Sequence, residues 1–493
     1  MKKKKWLLLA LLLMCMGSFV GCGETEKDGK TEKAETTETT EETLQDGEYT
    51  VNVALEGGSG KASVESPTKV TVKDGKITAT IIWSSPYYDY MIVDGEKYLK
   101  ENEEGNSQFT IPLKELPGDL DVTADTTAMS KPHEIEYTLK FTFPESGSFE
   151  EMEKTGEMTL KYADQFQVEE YSNCKLLTIV DNGRFFIVPM GIPVPEDVPE
   201  DIEVLRTPLE NVYLVSSAVM DLVCRIDALS AVTFTGTKEQ DWYVQEAADA
   251  MEQGTLTYAG KYSAPDYEML LDAGCSLAVE NTMITHNPEV KEKLEELGIP
   301  VMIERSSYES HPLGRLEWIR FFGALLGKEE VAVAYYEEQL SRIEPILQKE
   351  NTGKKVAFFA VSSDGSITVR KPNDYVASMI SLAGGVYSLE GYLPEEENAL
   401  STMKMQMEDF YAAEKDADIL IYNGTIEGEI KSVDELIEKN ALFADFQAVQ
   451  NDQVYTTGSD FYQQTSKTCD FIEDLYHVLN GSEDGEYHFL KKI

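Results

Sequence analysis

Few residues in this chain could do covalent or metal chemistry, and their spacing excludes most of what enzymes use. The six cysteines (Cys15, Cys22, Cys174, Cys224, Cys275 and Cys469) contain no CxxC pair, and the five histidines (His133, His286, His311, His477 and His488) are scattered. Neither a tetrahedral zinc set nor a disulfide framework is spelled out, although one bridge outside the cell stays open. HExxH, GxSxG and the phosphate-cradling GxxxxGK[ST] are absent. No catalytic residue, no catalytic cofactor and no enzyme activity is expected. The thiol with a chemistry is Cys22. Lys2 to Lys5 form a charged start, Trp6 to Met16 an apolar run, and Phe19-Val20-Gly21-Cys22 a cleavage box. The run is too short to span roughly 30 Å of hydrocarbon, so residues 1–21 are expected to be an export signal. A cysteine right after the small Gly21 resembles the lipobox, which implies lipid transfer to the thiol and cleavage before it. More than one acyl chain on Cys22 gives stable anchoring. The mature chain is expected outside the cell, lipid-anchored to the bacterial membrane.

Residues 22–46 are mostly Glu, Thr and Lys and cannot bury enough surface to offset chain entropy, so they are expected to be a disordered acidic tether. The formal net charge is −46, and loss of the signal removes four more lysines. Such a field excludes nucleic acid and anionic lipid as partners of the bulk surface.

Two folded bodies must position whatever chemistry remains. Residues 47–143 read as all-β. Lys69 to Ile82 is a hairpin, with Val70 and Val72 alternating with polar residues, a turn at Asp74-Gly75, and Ile77, Ala79 and Ile81 returning on one face. Asp94-Gly95 marks a second turn, and Ile135, Tyr137, Leu139, Phe141 and Phe143 line one side of a last strand. This repeated period of two suits an immunoglobulin-like sandwich. Residues 144–164 are the expected linker. From 165 on, short apolar runs (Leu176 to Val180, Val212 to Val215, Leu277 to Val279, Val301 to Ile303) alternate with helical stretches, the rhythm of a parallel sheet. A first α/β lobe is expected over 165–316, a single long connecting helix over 317–350, a second α/β lobe over 351–481 and a tail over 482–493. Arg315, Glu317 and Trp318 follow a helical spacing and are expected to anchor that helix.

The β body, with Val70-Thr-Val-Lys-Asp-Gly-Lys76, the loop Trp83-Ser-Ser-Pro-Tyr-Tyr-Asp-Tyr90 and a long final strand, resembles the iron-transport-associated NEAT domains of Gram-positive surface proteins. The resemblance implies a ligand pair at His133 and Tyr137, where haem-binding members carry two tyrosines. A period of two puts both on one face, roughly 13 Å apart. The alternative is a spacer with Tyr137 in the core.

The second half is similar to the extracytoplasmic binding proteins of iron-chelate, haem and cobalamin ABC importers. The ordered segments are Leu209 to Leu229, Gly260 to Glu268, Lys293 to Val301, Phe322 to Glu329 and Tyr375 to Gly385. That resemblance implies a ligand in the cleft between lobes, on strand ends and helix N-termini whose free N–H groups attract anions. Candidate wall residues are Ser216, Ser217, Tyr262, Met283, Arg305, Tyr308 and His311 from the first lobe, and Arg370, Tyr375, Tyr462 and Gln463 from the second. Arg305 or Arg370 would fork a carboxylate, and Tyr308, His311 or Met283 would reach iron, with no metal ligand certain. It also implies docking on an ABC permease through one acid per lobe, Glu289 and Glu427, with Glu429 beside the latter. The function implied is a receptor delivering haem or another ferric chelate. The alternatives are cobalamin or a siderophore with the β body a spacer, or a cell-surface adhesion protein.

Overall fold

The computed structural model of the protein describes Leu44 and residues 47–128, 133–145, 147–392, 401–481 and 487–493. The expected export signal, Cys22 and all of the expected tether except Leu44 lie outside the described residues.

The first body is antiparallel throughout. Its strands are β1 (Gly47–Gly57), β2 (Thr68–Lys73), β3 (Lys76–Ile82), β4 (Tyr88–Val93), β5 (Glu96–Leu99), β6 (Gln108–Leu113), β7 (Gly118–Thr126) and β8 (His133–Thr142). Their spatial order is β5-β4-β7-β8-β1-β2-β3-β6. The start of β1 pairs with β2 and its end with β8, so one strand serves both halves of the sheet. Their apolar faces share one core, in which Val51, Val72, Ile81 and Trp83 join Met91, Leu139 and Phe141. Both expected turns form, with Asp74-Gly75 at φ 50° and 69° and Asp94-Gly95 at 47° and 83°. Two successive left-handed residues match the strand twist of a tight hairpin.

Residues 156–207, expected to be divided between linker and first lobe, make a sheet of their own. It contains β9 (Gly156–Glu157), β10 (Phe166–Tyr171), β11 (Cys174–Ile179), β12 (Gly183–Pro189) and β13 (Ile202–Thr207), ordered β13-β12-β11-β10-β9. Only the β12–β13 pair is parallel. The run from Leu176, expected in a parallel sheet, is thus an antiparallel strand. The cause is burial on both faces. Leu176, Phe186 and Val188 join the core of the first body, whereas Leu177, Phe185 and Ile187 join that of the lobes. A strand covered on both sides loses its polar alternation and reads like a parallel one. Asn173 adds a polar tie to β1, accepting from the Thr50 N–H at 2.7 Å and donating to the Thr50 carbonyl at 2.9 Å. The first body is therefore packed on this sheet rather than hung on a loose linker.

The first lobe's parallel sheet begins at Val212 and runs Thr257–Tyr258, Val232–Thr235, Val212–Leu214, Ala278–Glu280, Val301–Ile303. The second lobe centres on Lys355–Val361, with Ile419–Tyr422 and then Val454–Thr457 parallel on one side. Ile367–Arg370 and Thr402–Met405 complete the other side antiparallel. The expected tail belongs to this sheet. Leu490–Lys492 adds an edge strand, and the buried Asp474 carboxylate accepts the backbone N–H groups of His488, Phe489 and Leu490.

The expected single connecting helix is two helices, Pro312–Leu326 and Glu329–Leu347. Gly327, at φ 67°, ends the first in the left-handed conformation, a common glycine stop. Gly323 permits the close crossing that follows, because a Cβ there would stand 2.6 Å from that of Ala332. No helix among the described residues is long and apolar enough to cross a membrane.

Candidate functional site

Segments that follow the carboxyl ends of strands in both lobes meet each other. Gln463, beyond strand Val454–Thr457, accepts from the Tyr243 N–H at 2.9 Å and donates to the Asp241 carbonyl at 2.8 Å. Nearby, the Ser466 N–H donates to the buried Asp221 carboxylate of helix Ser217–Arg225 at 2.7 Å. Gln463 is thus a bridge between the lobes.

The second-lobe wall is built around Arg370, buried at the end of its strand. Its guanidinium faces Asp374 at 3.4 Å, donates to Ser401 Oγ at 3.1 Å and donates to the Tyr462 hydroxyl. That hydroxyl also accepts from Asn423 Nδ2 at 2.8 Å. Tyr375 opens helix Tyr375–Leu382, whose cap Asp374 accepts the Val376 N–H at 2.9 Å. Two guanidinium groups flank the Tyr375 ring, Arg315 at 3.8 Å from the centroid and Arg370 at 5.6 Å. Tyr375 stays partly exposed, yet burial pushes its hydroxyl up to about 12, against the lowering pull of the Arg315 and Arg370 charges. The Tyr375 ring thus stays within reach of solvent while its hydroxyl is desolvated.

The first-lobe candidates separate. Ser216 is buried and donates to Glu304 at 3.0 Å, and the other Glu304 oxygen accepts the Ser306 N–H at 2.7 Å. Ser217 starts its helix half-buried, and Tyr262 packs on the lobe's outer core. Met283 and Tyr308 are exposed. Arg305 lies over the Tyr308 ring at 4.4 Å but donates to Gln165 at 3.0 Å and faces Asp181 at 3.5 Å. His311 caps helix Pro312–Leu326, its Nδ1 accepting the Leu313 N–H at 3.2 Å while its ring stacks on Tyr162 at 4.5 Å. Burial lowers its pKa.

Arg305 and His311 therefore serve the strap 161–165 rather than joining Arg370. The buried Glu317 carboxylate accepts the Lys161, Tyr162 and Ala163 N–H groups, the shortest at 2.8 Å. Glu309 accepts those of Asp164 and Gln165 and the Trp318 indole N–H at 2.9 Å. Of the helix starts, that of Tyr375–Leu382 already has the Asp374 carboxylate on its Val376 N–H, and Ser216, before helix Ser217–Arg225, donates to Glu304. The structure brings Arg370, Tyr375 and Tyr462 together, and adds Arg315, which was grouped with Glu317 and Trp318 as an anchor. Helical geometry offered a signal: two residues along a helix turn by about 200°, so Arg315 and Glu317 cannot share a face.

In the first body, His133 is exposed at the start of β8 and Tyr137 is buried. The Tyr137 hydroxyl lies 3.2 Å from that of Tyr88, and its ring meets Trp83 edge-on at 5.2 Å. Trp83 stacks on Tyr88 at 3.9 Å, so the aromatic loop supplies core as well as the exposed Tyr87. Glu289 and Glu427 are exposed, accepting from Asn287 Nδ2 at 3.3 Å and the Ser363 N–H at 3.4 Å. Glu429 pairs with Lys491 at 2.9 Å. Cys174, Cys224, Cys275 and Cys469 are free thiols. Among the described residues no group of three His, Cys, Asp or Glu side chains is placed to hold a metal. Two open grooves lie away from the arginine–tyrosine cluster, one along Leu160, Phe166 and Val180, the other beside Tyr258 and Tyr267.

The sequence profile of a family described as periplasmic binding protein matches residues 214–461. An uncharacterized lipoprotein of Methanocaldococcus jannaschii is 24% identical over 308 residues, 60% of this chain and 72% of its own. A second from that organism is 23% identical over 363 residues, 70% and 90% of the two chains. Among solved structures, the periplasmic haem-binding protein HutB of Vibrio cholerae is similar over 54% of this chain and 99% of its own, at 18% identity and a TM-score of 0.44. The periplasmic vitamin B12-binding protein BtuF of Vibrio cholerae is similar over 56% and 99%, at 14% identity and a TM-score of 0.40.

Proposed function

The chain belongs to the periplasmic binding protein family, whose members bind solutes, and from that premise we propose a lipid-anchored extracytoplasmic receptor that delivers haem or another ferric chelate to an ABC import permease. The observation that carries the ligand class is the mixed chemistry at the strand ends of the two lobes. Arg370, Tyr375 and Tyr462 form a polar cluster, while Tyr243, Met283, Tyr308 and Ile426, on segments that follow strand ends, keep large apolar surfaces exposed. A few convergent polar groups among apolar ones suit a broad, largely apolar ligand. Met283 and Tyr308, both exposed, are the iron ligands of this reading, with Tyr308 leaving its contact with Arg305 to reach iron. His311 is not, being held by Tyr162 and the Leu313 N–H.

Anchoring rests on Cys22, and Cys22→Ala should release the protein from the membrane fraction. Docking on the permease rests on Glu289 and Glu427. Changing both to Lys should cut uptake and leave ligand affinity intact, because rim charges govern pairing more than cleft chemistry. For the first body two readings stand, relay of haem through His133 or spacer. The use of Tyr137 as core favours the spacer, with a siderophore or cobalamin then as open to the cleft as haem.

The test is titration of the soluble chain from Gly23 with haemin, a ferric siderophore and cyanocobalamin. A Soret shift saturating at one equivalent supports haem in the cleft, and a second equivalent abolished by His133→Ala supports relay. An unchanged haemin spectrum with tight binding of another chelate removes haem from the reading.

A further inference from the structure

The chain has eight arginines. Seven donate to a carboxylate, hydroxyl, amide or backbone carbonyl of the protein. Arg315 alone has no acceptor among the described residues, although it is half-buried. What holds it is the Tyr375 ring, 3.8 Å from the guanidinium carbon to the ring centroid. Stacking occupies the flat face of a guanidinium and leaves its N–H edge, with five donors, to be satisfied by something else.

The surroundings state what that something is. Asp374, whose carboxyl feels the Arg315 charge, faces Arg370 and accepts the Val376 N–H, so it is already used. Arg370 is buried, and its donors go to Ser401 and Tyr462. The local sum of Arg315, Arg370 and Asp374 is positive in a chain whose formal net charge is −46. Among the described residues no carboxylate pairs with Arg315, and its unfilled N–H edge beside the Tyr375 ring marks a place for an external anion.

Resting on the solute-receptor reading above, we propose that Arg315 is the receptor for an anionic group of the ligand, and that the ligand carries a carboxylate or similar planar oxyanion within reach of the Tyr375 ring. The guanidinium fork matches such a group in two parallel hydrogen bonds. Arg315 stands on the helix Pro312–Leu326 and Tyr375 on the first helix of the second lobe. An anion bound there would tie the connecting helix to that lobe. Arg370, by contrast, is a positioning residue, orienting Tyr462.

The test titrates the unaltered protein, Arg315→Gln and Arg315→Lys with haemin and ferric citrate, which carry carboxylates, and with cyanocobalamin, whose peripheral groups are amides. Thermal unfolding of each variant checks the fold. The expected result is binding of a carboxylate-bearing chelate that Arg315→Gln weakens by about ten- to a hundredfold at unchanged melting temperature. Arg315→Lys, which keeps the charge without the fork, should lose less, and it carries the test if the Gln variant does not fold. Carboxylate chelate binding equal in all three proteins overturns the proposal and leaves the receptor reading standing. So does tight binding of cyanocobalamin alone. Binding of none of the three overturns both.

Discussion

His133 and Tyr137 lie four residues apart on one strand, whereas Arg315 and Tyr375 lie on different helices, yet only the second pair meets in an accessible cluster. In β8 the period of two puts residue 137 on the inner face, and a ring there is claimed by Trp83 and Tyr88. Residue 133 shares that parity but falls at the strand's edge, where no core remains to cover it. Arg315 and Tyr375 each sit in the first turns of a helix whose packing brings the two starts together. A strand's neighbours decide which side chains become core, while helix starts at the junction of two lobes keep theirs available.

The comparison breaks first at Tyr137. Tyr137→Ala should cost about 3–5 kcal/mol of stability, the range for truncating a buried aromatic, read by urea unfolding. Tyr375→Ala, with its ring partly exposed, should cost about 1 kcal/mol and weaken ligand binding instead. Equal losses of stability would erase the distinction drawn between the two regions.

A second contrast is sharpened by pH. Glu280, at the end of a first-lobe strand, is fully buried and neither carboxyl oxygen has a hydrogen-bond partner among the described residues. Burial raises its pKa to about 8. The folded state then keeps its proton after the unfolded state has lost it, so stability falls as pH rises from about 4.5 to about 8 and levels above, by at most about 1.4 kcal/mol per unit. Glu280→Gln should flatten this slope and be the more stable protein at pH 8. Asp125 in the first body is likewise buried with no hydrogen bond to either carboxyl oxygen among the described residues, and burial, with Asp89 beside it, raises its pKa, so Asp125→Asn should change the same profile in the same direction. A lower stability of Glu280→Gln at pH 8 would mean that the carboxylate has a partner there.

Smaller effects separate Arg305 from Arg315. Arg305→Gln removes its ties to Gln165 and Asp181 and should cost about 1 kcal/mol of stability with ligand affinity unchanged, the reverse of the pattern expected at Arg315. A fall in affinity with Arg305→Gln would return that residue to the cleft wall. The smallest effect is expected at His133, where Ala should change stability by no more than about 0.5 kcal/mol.

Patterns confined to one element were legible in the amino-acid order. The hairpin at Asp74-Gly75, the turn at Asp94-Gly95 and the inward set of β8 all follow from period and turn chemistry, which act between near neighbours. The glycine stop at Gly327 was equally local and was passed over. What tertiary packing alone decided is where each polar group finds its partner. Leu176 and Leu177 look alike in sequence but enter different cores because two bodies cover the two faces of β11. Glu317, Glu309, Arg305 and His311 were turned towards the strap 161–165, since a buried carboxylate or guanidinium takes the nearest complementary group, however distant in the chain. Desolvation makes an unpaired charge costly, so three-dimensional proximity spends almost every arginine on the protein itself. Sequence supplied eight guanidinium groups; only the folded arrangement left Arg315 without an acceptor among the described residues.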